Sequence, residues 1–268
     1  MPEGPEAKRI GLGLAQAASG KIIKKIEILS GRYSKKEPTG YDMFNSHLPL
    51  KVVGVGVHGK FIFWICENEK FIWSTLGMSG SWNLKPNKYT RIKFEFLDNS
   101  SVYYNDVRNF GTIKFVNGKH KMIDKLESLG PDMLSQEVND KLFINSLRSK
   151  DDWQITKVLM DQSIIAGVGN YVKADSLWLA KISPLRKVSE LSDKELSVLN
   201  RSIKSVLKES FESGGATINT YKDFDDESED YGRKFLVYSQ KIDPDGNKII
   251  KEETDDGRST YWVPEVQK

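Results

Sequence analysis

The sequence predicts an α+β fold: an antiparallel β-sandwich with one leading helix, then a helical half that ends in a β-hairpin. Three observations carry this expectation. Apolar residues recur at helical spacing before Gly20. Runs of alternating apolar residues, broken by turn signals, fill Lys21 to Val116. Beyond Leu129-Gly-Pro-Asp132 the pattern becomes helical. The boundaries that follow are a β-sandwich over residues 2–130, a helical domain over 131–222, and an acidic loop with a terminal hairpin over 223–268.

The leading helix is read over Glu3 to Ser19, because Ala7, Ile10, Leu14 and Ala17 fall on one face. Pro5 is tolerated in a first turn, and Gly20 is a natural stop. In the strand-rich stretch, Phe61, Phe63 and Ile65 alternate with the opposite face, as do Ile92, Phe94 and Phe96. Pro86-Asn87 and Asp98-Asn99-Ser100 supply turns, and several short strands at this spacing suggest a sandwich. In the helical half, Ser192-x-x-Glu195 is a capping box ahead of Leu196, Leu199, Ile203 and Val206, and Gly214-Gly215 closes that helix. Thr220–Tyr231 is acidic and weakly apolar, which reads as a loop. The tail returns to strand character at Phe235–Tyr238 and Ser259–Trp262, on either side of a turn at Pro244–Asn247.

Composition narrows the function. Forty Lys and Arg against 37 Asp and Glu give a net charge of +3, which argues neither for nor against nucleic acid. Hydrophobic residues at 38% and charged residues at 29% are those of an ordinary soluble protein. A single cysteine, Cys66, forbids an internal disulfide and a cysteine-rich metal site. Charges interrupt every apolar run short of the about 18 residues that a membrane helix needs, and the N-terminus lacks a signal core. An intracellular chain follows, nuclear or in a viral replication compartment if the source is eukaryotic or viral. Gly54-x-Gly56-x-x-Gly59 satisfies a dinucleotide fingerprint on paper. A strand rather than a helix follows it at Lys60–Trp64, so the phosphate cradle has no physical basis.

The N-terminus carries chemistry. Position 2 is Pro, a small residue that permits removal of the initiator Met. A free N-terminal proline is a secondary amine, and an α-amino group titrates near ~8, far below a lysine. It can attack an electrophilic carbon and form an iminium. Glu3 and Glu6 follow at a spacing that puts both carboxylates on one helix face, at the end where the dipole favours anions. The plainer reading is two glutamates that stabilise a helix start. Proline serves as a general base in small βαβ tautomerases, which this chain does not resemble in length or pattern, and as a nucleophile at a sugar carbon in another class.

Met1-Pro-Glu-Gly-Pro-Glu6 resembles the start of the formamidopyrimidine-DNA glycosylase/endonuclease VIII family. So do, in order, Leu76-Gly-Met-Ser-Gly80, Asp106-x-Arg108-x-Phe110-Gly111, Leu129–Asp132, Leu159-Met-Asp-Gln162 with Ala166-Gly-Val-Gly-Asn-Tyr171, and Gly257–Trp262 with Pro264. Each is weak alone; together they span nearly the whole chain. The resemblance is closest to zinc-less members of the endonuclease VIII branch. It implies a helix-two-turn-helix in the helical domain and a β-hairpin finger at the end. It also implies a bifunctional DNA glycosylase and abasic-site lyase without cofactor, acting as a monomer on duplex or single-stranded DNA with oxidised bases or abasic sites, away from membranes. In that scheme Pro2 attacks C1′, Glu3 shuttles protons, and Glu6 orients the amine or neighbouring amides. Lys60, Asn170 and Arg258 hold phosphates, and Lys157 is a further DNA contact. Met78, Arg108 and Phe110 fill the space left by the flipped nucleotide. Lys21, Lys24, Lys25, Arg32, Lys35 and Lys36 read as a solvated face. A non-catalytic damage-binding relative remains open, as does a proline-dependent tautomerase.

The chain departs from the family at its finger. Many members close that hairpin with four cysteines on zinc. Here Asp243-Pro-Asp245-Gly246-Asn247 stands in place of one pair, and Val263 and Val266 in place of the other. No metal is expected. The hairpin is expected to hold by strand pairing, a turn at Asp245-Gly246, and packing of Tyr261 and Trp262. The acidic loop favours oxidised pyrimidines and ring-opened purines over intact 8-oxoguanine.

Overall fold

The structure is a computed structural model that describes residues 2–135, 137–214 and 234–268. Met1, Gly215 and the acidic loop at Thr220–Tyr231 lie outside the described residues. Two compact units emerge: among the described residues, one holds Pro2 and Glu6–Glu127, and the other holds Glu3–Pro5 with the residues from Ser128 onward.

The first unit opens with α1 (Gly4–Ala18), whose Ala7, Ile10, Leu14 and Ala18 enter the core. Strands β1 (Ile22–Ile28), β2 (Leu50–His58), β3 (Phe61–Cys66), β4 (Lys70–Thr75), β5 (Gly80–Asn83), β6 (Thr90–Phe96), β7 (Ser101–Asp106) and β8 (Thr112–Asn117) follow. A 3-10 turn at Gly31–Ser34 and α2 (Tyr41–Asn45) interrupt them, and α3 (Lys119–Glu127) closes the unit. The interruptions have no strong sequence signal, because each is barely one turn long. All strand pairs are antiparallel, in the order β5-β7-β6-β1-β2-β3-β4-β8.

This continuous sheet folds over on itself to make the sandwich. In a flat sheet β3 and β6 would lie about 14 Å apart, at ~4.8 Å per strand. Instead the Trp64 and Phe94 rings meet at 5.3 Å, and Trp64 meets Trp82 of β5 at 5.3 Å. Trp82 Nε1 also donates to Ser74 Oγ of β4 at 3.0 Å. In β6 the expected face, Ile92, Phe94 and Phe96, is the buried one. In β3 the inner face is Ile62, Trp64 and Cys66, so Phe61, Phe63 and Ile65 point the other way. Phe61 is still covered, by Phe63, by Trp73, and by the Lys125 ammonium from α3. A strand apolar on both faces hides which one faces the core. Burial of Cys66 pushes its thiol up to about 12.

The second unit contains α4 (Asp140–Arg148), α5 (Ile155–Met160), α6 (Asn170–Leu179), a 3-10 turn at Val188–Glu190, and α7 (Asp193–Glu212). The capping box at the start of α7 is present: Ser192 Oγ accepts from Glu195 N at 3.3 Å, and Glu195 accepts from Ser192 N at 2.8 Å. The turns between α5 and α6 are organised by Gln162. Its Oε1 accepts from Gly167 N at 3.0 Å, and its Nε2 donates to Val168 O at 3.0 Å. Leu129–Asp132 docks here as well, through Gly130 N to Gln162 O and a bridge from Asp132 to Ala166.

The terminal hairpin differs from the expectation. Its strands are β9 (Ile250–Thr254) and β10 (Arg258–Trp262), joined by Asp255-Asp256-Gly257, with Gly257 at φ +68°. Phe235–Tyr238 is not a strand. The amides of Leu236, Val237 and Tyr238 all donate to the Asp175 carboxylate on α6, which replaces a ladder partner. The turn at Asp245-Gly246 is a separate, smaller loop ahead of β9. Asp243 organises it by accepting from Asp245 N, Asn247 N, Asn247 Nδ2 and Trp178 Nε1. Val263 joins Val237, Ile249 and Ala174 in a small apolar cluster that Val266 and Tyr261 flank. At the positions where the family resemblance would expect cysteines, the finger has a hydrogen-bonded carboxylate and an apolar plug.

Candidate active site

In the first unit, Pro2 and Glu6 are buried at the start of α1. Lys60 does not open β3; it sits with Gly59 in the two-residue turn between His58 and Phe61, which pair across the hairpin. The glycine fingerprint therefore lies in strand β2 and this turn, and no helix follows it.

Met78, Arg108 and Phe110 come together on two loops that touch. Arg108 Nη1 lies 3.4 Å from Met78 Sδ. Gly77, at φ +56°, has no room for a Cβ because the Phe110–Gly111 backbone passes over it. Phe110 and Met78 are 60% and 39% exposed, which excludes a core role for either. The loops are held from below by buried Asp106. One of its oxygens accepts from Ser79 Oγ at 2.6 Å, the other from Gly111 N at 2.8 Å, while Ser79 Oγ accepts from Arg108 N at 2.8 Å. Two arginines brace the same loop. Arg91 Nε donates to Asp106 O at 2.8 Å. Arg32 donates to Gly111 O and lies over Tyr33, so it is not merely a solvated charge like the lysines near it. The sequence motif named Asp106 but gave no sign of Arg32 or Arg91, whose partners are 15 to 79 positions away.

In the second unit, Glu3 does not share a helix face with Glu6. It precedes α1, and its carboxylate accepts from Tyr171 N at 2.9 Å and Val172 N at 3.3 Å. The N-terminus of α6 is thus occupied by Glu3 and is not free for a phosphate there. Gly169 is required because a Cβ would collide with the Glu3 carboxyl. Gly4 N donates to Gly167 O at 2.9 Å, which fixes the same strand of chain.

Asn170 is the first residue of α6. Its Nδ2 donates to Ser259 O of β10 at 3.0 Å, and its Oδ1 is buried without a protein partner. Arg258 is exposed at the head of β10, beside Ser259. Lys173, one turn beyond Asn170, is fully buried and pairs with Asp256 at 2.6 Å. Burial pushes the Lys173 ammonium down from its ordinary value, against the pull of Asp256 and Glu3. Burial pushes the Tyr238 phenol up, against the pull of the nearby Asn170 amide and with the Glu3 charge reinforcing it. Lys157 lies on α5 with its Nζ 4.1 Å from the Trp153 ring centroid. Lys173 and Tyr238 were invisible to motif reading, because their significance depends on partners far along the chain.

Among the described residues no cluster of three or more His, Cys, Asp or Glu side chains could hold a metal. The first unit offers a buried Pro2, Lys60 on a tight turn and an exposed wedge on rigid loops. The second offers a carboxylate fixed by backbone amides and Arg258 next to a tight turn.

Comparison with known proteins identifies the family. The formamidopyrimidine-DNA glycosylase N-terminal domain matches residues 1–113, the H2TH domain 129–222, and the C-terminal domain 225–268. A formamidopyrimidine-DNA glycosylase of Prochlorococcus marinus (strain MIT 9215) is 33% identical over the full length of both chains. One from Lactobacillus acidophilus is 28% identical, covering 100% of this chain and 99% of that one. A Lactococcus lactis enzyme variant in complex with Fapy-dG-containing DNA superposes with a TM-score of 0.86 at 26% identity, over 100% of each chain. The enzyme of Thermus thermophilus gives 0.86 at 25% identity, over 99% of this chain and 98% of that one. With three consecutive domain models and full-length relatives in agreement, the chain belongs to the formamidopyrimidine-DNA glycosylase family.

Proposed function

We propose that this DNA glycosylase releases oxidised bases through a Schiff base on Pro2 and then cleaves the strand. The observation that supports it best is the Glu3 carboxylate, one residue from the amine and held by the Tyr171 and Val172 amides. Removal of Met1 frees the Pro2 nitrogen. That nitrogen attacks C1′ of a nucleotide taken out of the stack, the glycosidic bond breaks, and the base leaves with a proton. Glu3 supplies and recovers protons as the sugar opens to the iminium. The iminium acidifies the C2′ proton, so β- and then δ-elimination expel the flanking phosphates.

Lys60, Asn170 and Arg258 hold phosphates in this reading, with Lys157 as an additional contact and Glu6 as a support for the amine. Met78, Arg108 and Phe110 occupy the vacated stack: two apolar groups replace stacking, and the guanidinium faces the orphaned base. The substrates are oxidised pyrimidines and ring-opened purines, which places the work on DNA inside the cell, and the finger resembles that of the zinc-less endonuclease VIII branch.

The test is covalent trapping. Processed protein is incubated with duplex DNA that carries an abasic site or thymine glycol, then reduced with borohydride. A protein–DNA adduct is expected, and it disappears in Pro2→Ala. Failure of processed protein to form an adduct would overturn the mechanism in favour of a non-catalytic damage binder. Faster release of 8-oxoguanine than of thymine glycol would overturn the lesion preference.

A further inference from the structure

A lysine and an aspartate buried together at the finger tip call for an explanation that stability does not provide. The side chains of Lys173 on α6 and Asp256 in the β9–β10 turn are 0% and 3% exposed, and their charged atoms stand 2.6 Å apart. Removing both charges from water costs about as much as their attraction returns, so an apolar pair would hold the same elements together as well. What a pair of charges adds is placement, because its geometry is narrow.

The geometry around the pair is specific. Asp256 Oδ2 takes the Lys173 ammonium, while Oδ1 accepts from Thr254 Oγ1 at 2.7 Å and from Arg258 N at 3.2 Å. One carboxylate therefore ties α6 to the backbone nitrogen of Arg258. Two further bonds close the bracket. Asn170 Nδ2 holds Ser259 O at 3.0 Å, immediately after Arg258. Gln154 Oε1, at the head of α5, accepts from Asp255 N at 2.9 Å, three residues before it. The turn is thus fixed on both sides of an arginine whose own side chain is exposed.

We propose that Lys173 and Asp256 are positioning residues that set the Arg258 guanidinium, relative to Asn170, for one DNA phosphate. This rests on the reading of Arg258 as a phosphate contact. Neither residue touches DNA; both act through the turn.

A double-mutant cycle on DNA affinity tests it. Binding to a duplex with a tetrahydrofuran abasic analogue is measured over a range of salt for the full chain, for Arg258→Ala, for K173M/D256N, and for the triple variant. K173M/D256N removes the pair without leaving one charge buried alone, and the amide introduced by D256N keeps an acceptor for Thr254. Arg258→Ala is expected to weaken binding about tenfold and to flatten the salt slope by about one. K173M/D256N is expected to weaken it about five- to tenfold with the same flattening, and the triple variant to bind like Arg258→Ala. Wild-type affinity in K173M/D256N, or full additivity in the triple variant, would overturn the proposal. Wild-type affinity in Arg258→Ala would overturn the phosphate reading instead. Asp256→Glu keeps both charges and lengthens the arm, which covers the case in which K173M/D256N does not fold. It too is expected to weaken binding severalfold, with no further loss in the Arg258→Ala background; unchanged affinity, or a loss that adds to that of Arg258→Ala, would overturn the proposal.

Discussion

In the proposed mechanism Glu3 does two jobs that pull in different directions. Its oxygens accept from the first free amides of α6, and the same carboxylate is the nearest acid or base to the Pro2 nitrogen along the chain. Glu3→Gln keeps the size and one acceptor oxygen, so the chain folds, but the proton carrier is gone. Base release from an oxidised pyrimidine is expected to fall by about 10²–10⁴, the usual worth of a general acid or base. Cleavage at a preformed abasic site, which needs no base protonation, is expected to fall less. Single-turnover rates on the two substrates decide it, and equal loss on both would remove the assigned role. The pair Glu3 and Glu6 also shows a limit of spacing arguments. A separation of three residues places two carboxylates on one face only if both lie in the helix, and α1 begins one residue after Glu3.

At the level of elements, caps were legible and long-range supports were not. Ser192 and Glu195 form their box because both partners lie within four residues. Glu195 is partly desolvated, which alone would raise its pKa, yet Arg186 and the Ser192 donors hold it at about 2. With a folded value below the unfolded one, this carboxylate contributes stability that is present above about pH 4.5 and lost as pH falls through about 2. Ser192→Ala is expected to cost about 1 kcal/mol in urea unfolding at pH 7. Because the Glu195 side chain is 37% exposed, screening limits Glu195→Gln to roughly 0.5–1 kcal/mol at pH 7, narrowing toward zero below pH 2. A Glu195→Gln deficit that persists undiminished in acid would refute that assignment. The finger follows the opposite logic. Asp243 gathers donors from Trp178, 65 positions away, and Asp175 gathers three amides from 61 to 63 positions away. Nothing local marks either residue, which is why Phe235–Tyr238 reads as a strand. With Asp243 and the Val263 cluster bracing this hairpin, a chelator is expected to leave the melting temperature and DNA binding unchanged. Asp243→Ala should lower both, the first by several degrees. Chelator sensitivity would show that a metal holds this hairpin.

Over the whole molecule, the order of elements was readable because turn signals and periodicity are local. The closure of eight strands into a sandwich was readable only as a class, since Trp64 meets Phe94 across layers that no short window spans. The same difference between local and distributed information applies to charge. A total of +3 gives no hint of a DNA enzyme, and the lysines at β1 are paired: Lys21, just ahead of the strand, with Asp98, and its two lysines, Lys24 with Glu95 and Lys25 with Glu27. The cations assigned to phosphates are few and sit on tight turns, with Lys60 beside Gly59 and Arg258 beside Gly257. Counterion release scales with the number of phosphates neutralised, at about −0.9 in log K per log salt for each. Two principal contacts therefore predict a shallow slope of about −2 for duplex DNA with an abasic analogue, and about −3 if Lys157 joins them. Titration of the affinity between roughly 50 and 200 mM salt, where the Debye length is on the order of 10 Å, measures it directly. A slope steeper than about −6 would mean that a broad basic face carries the binding, and the placed-contact account of Lys60 and Arg258 would fall with it.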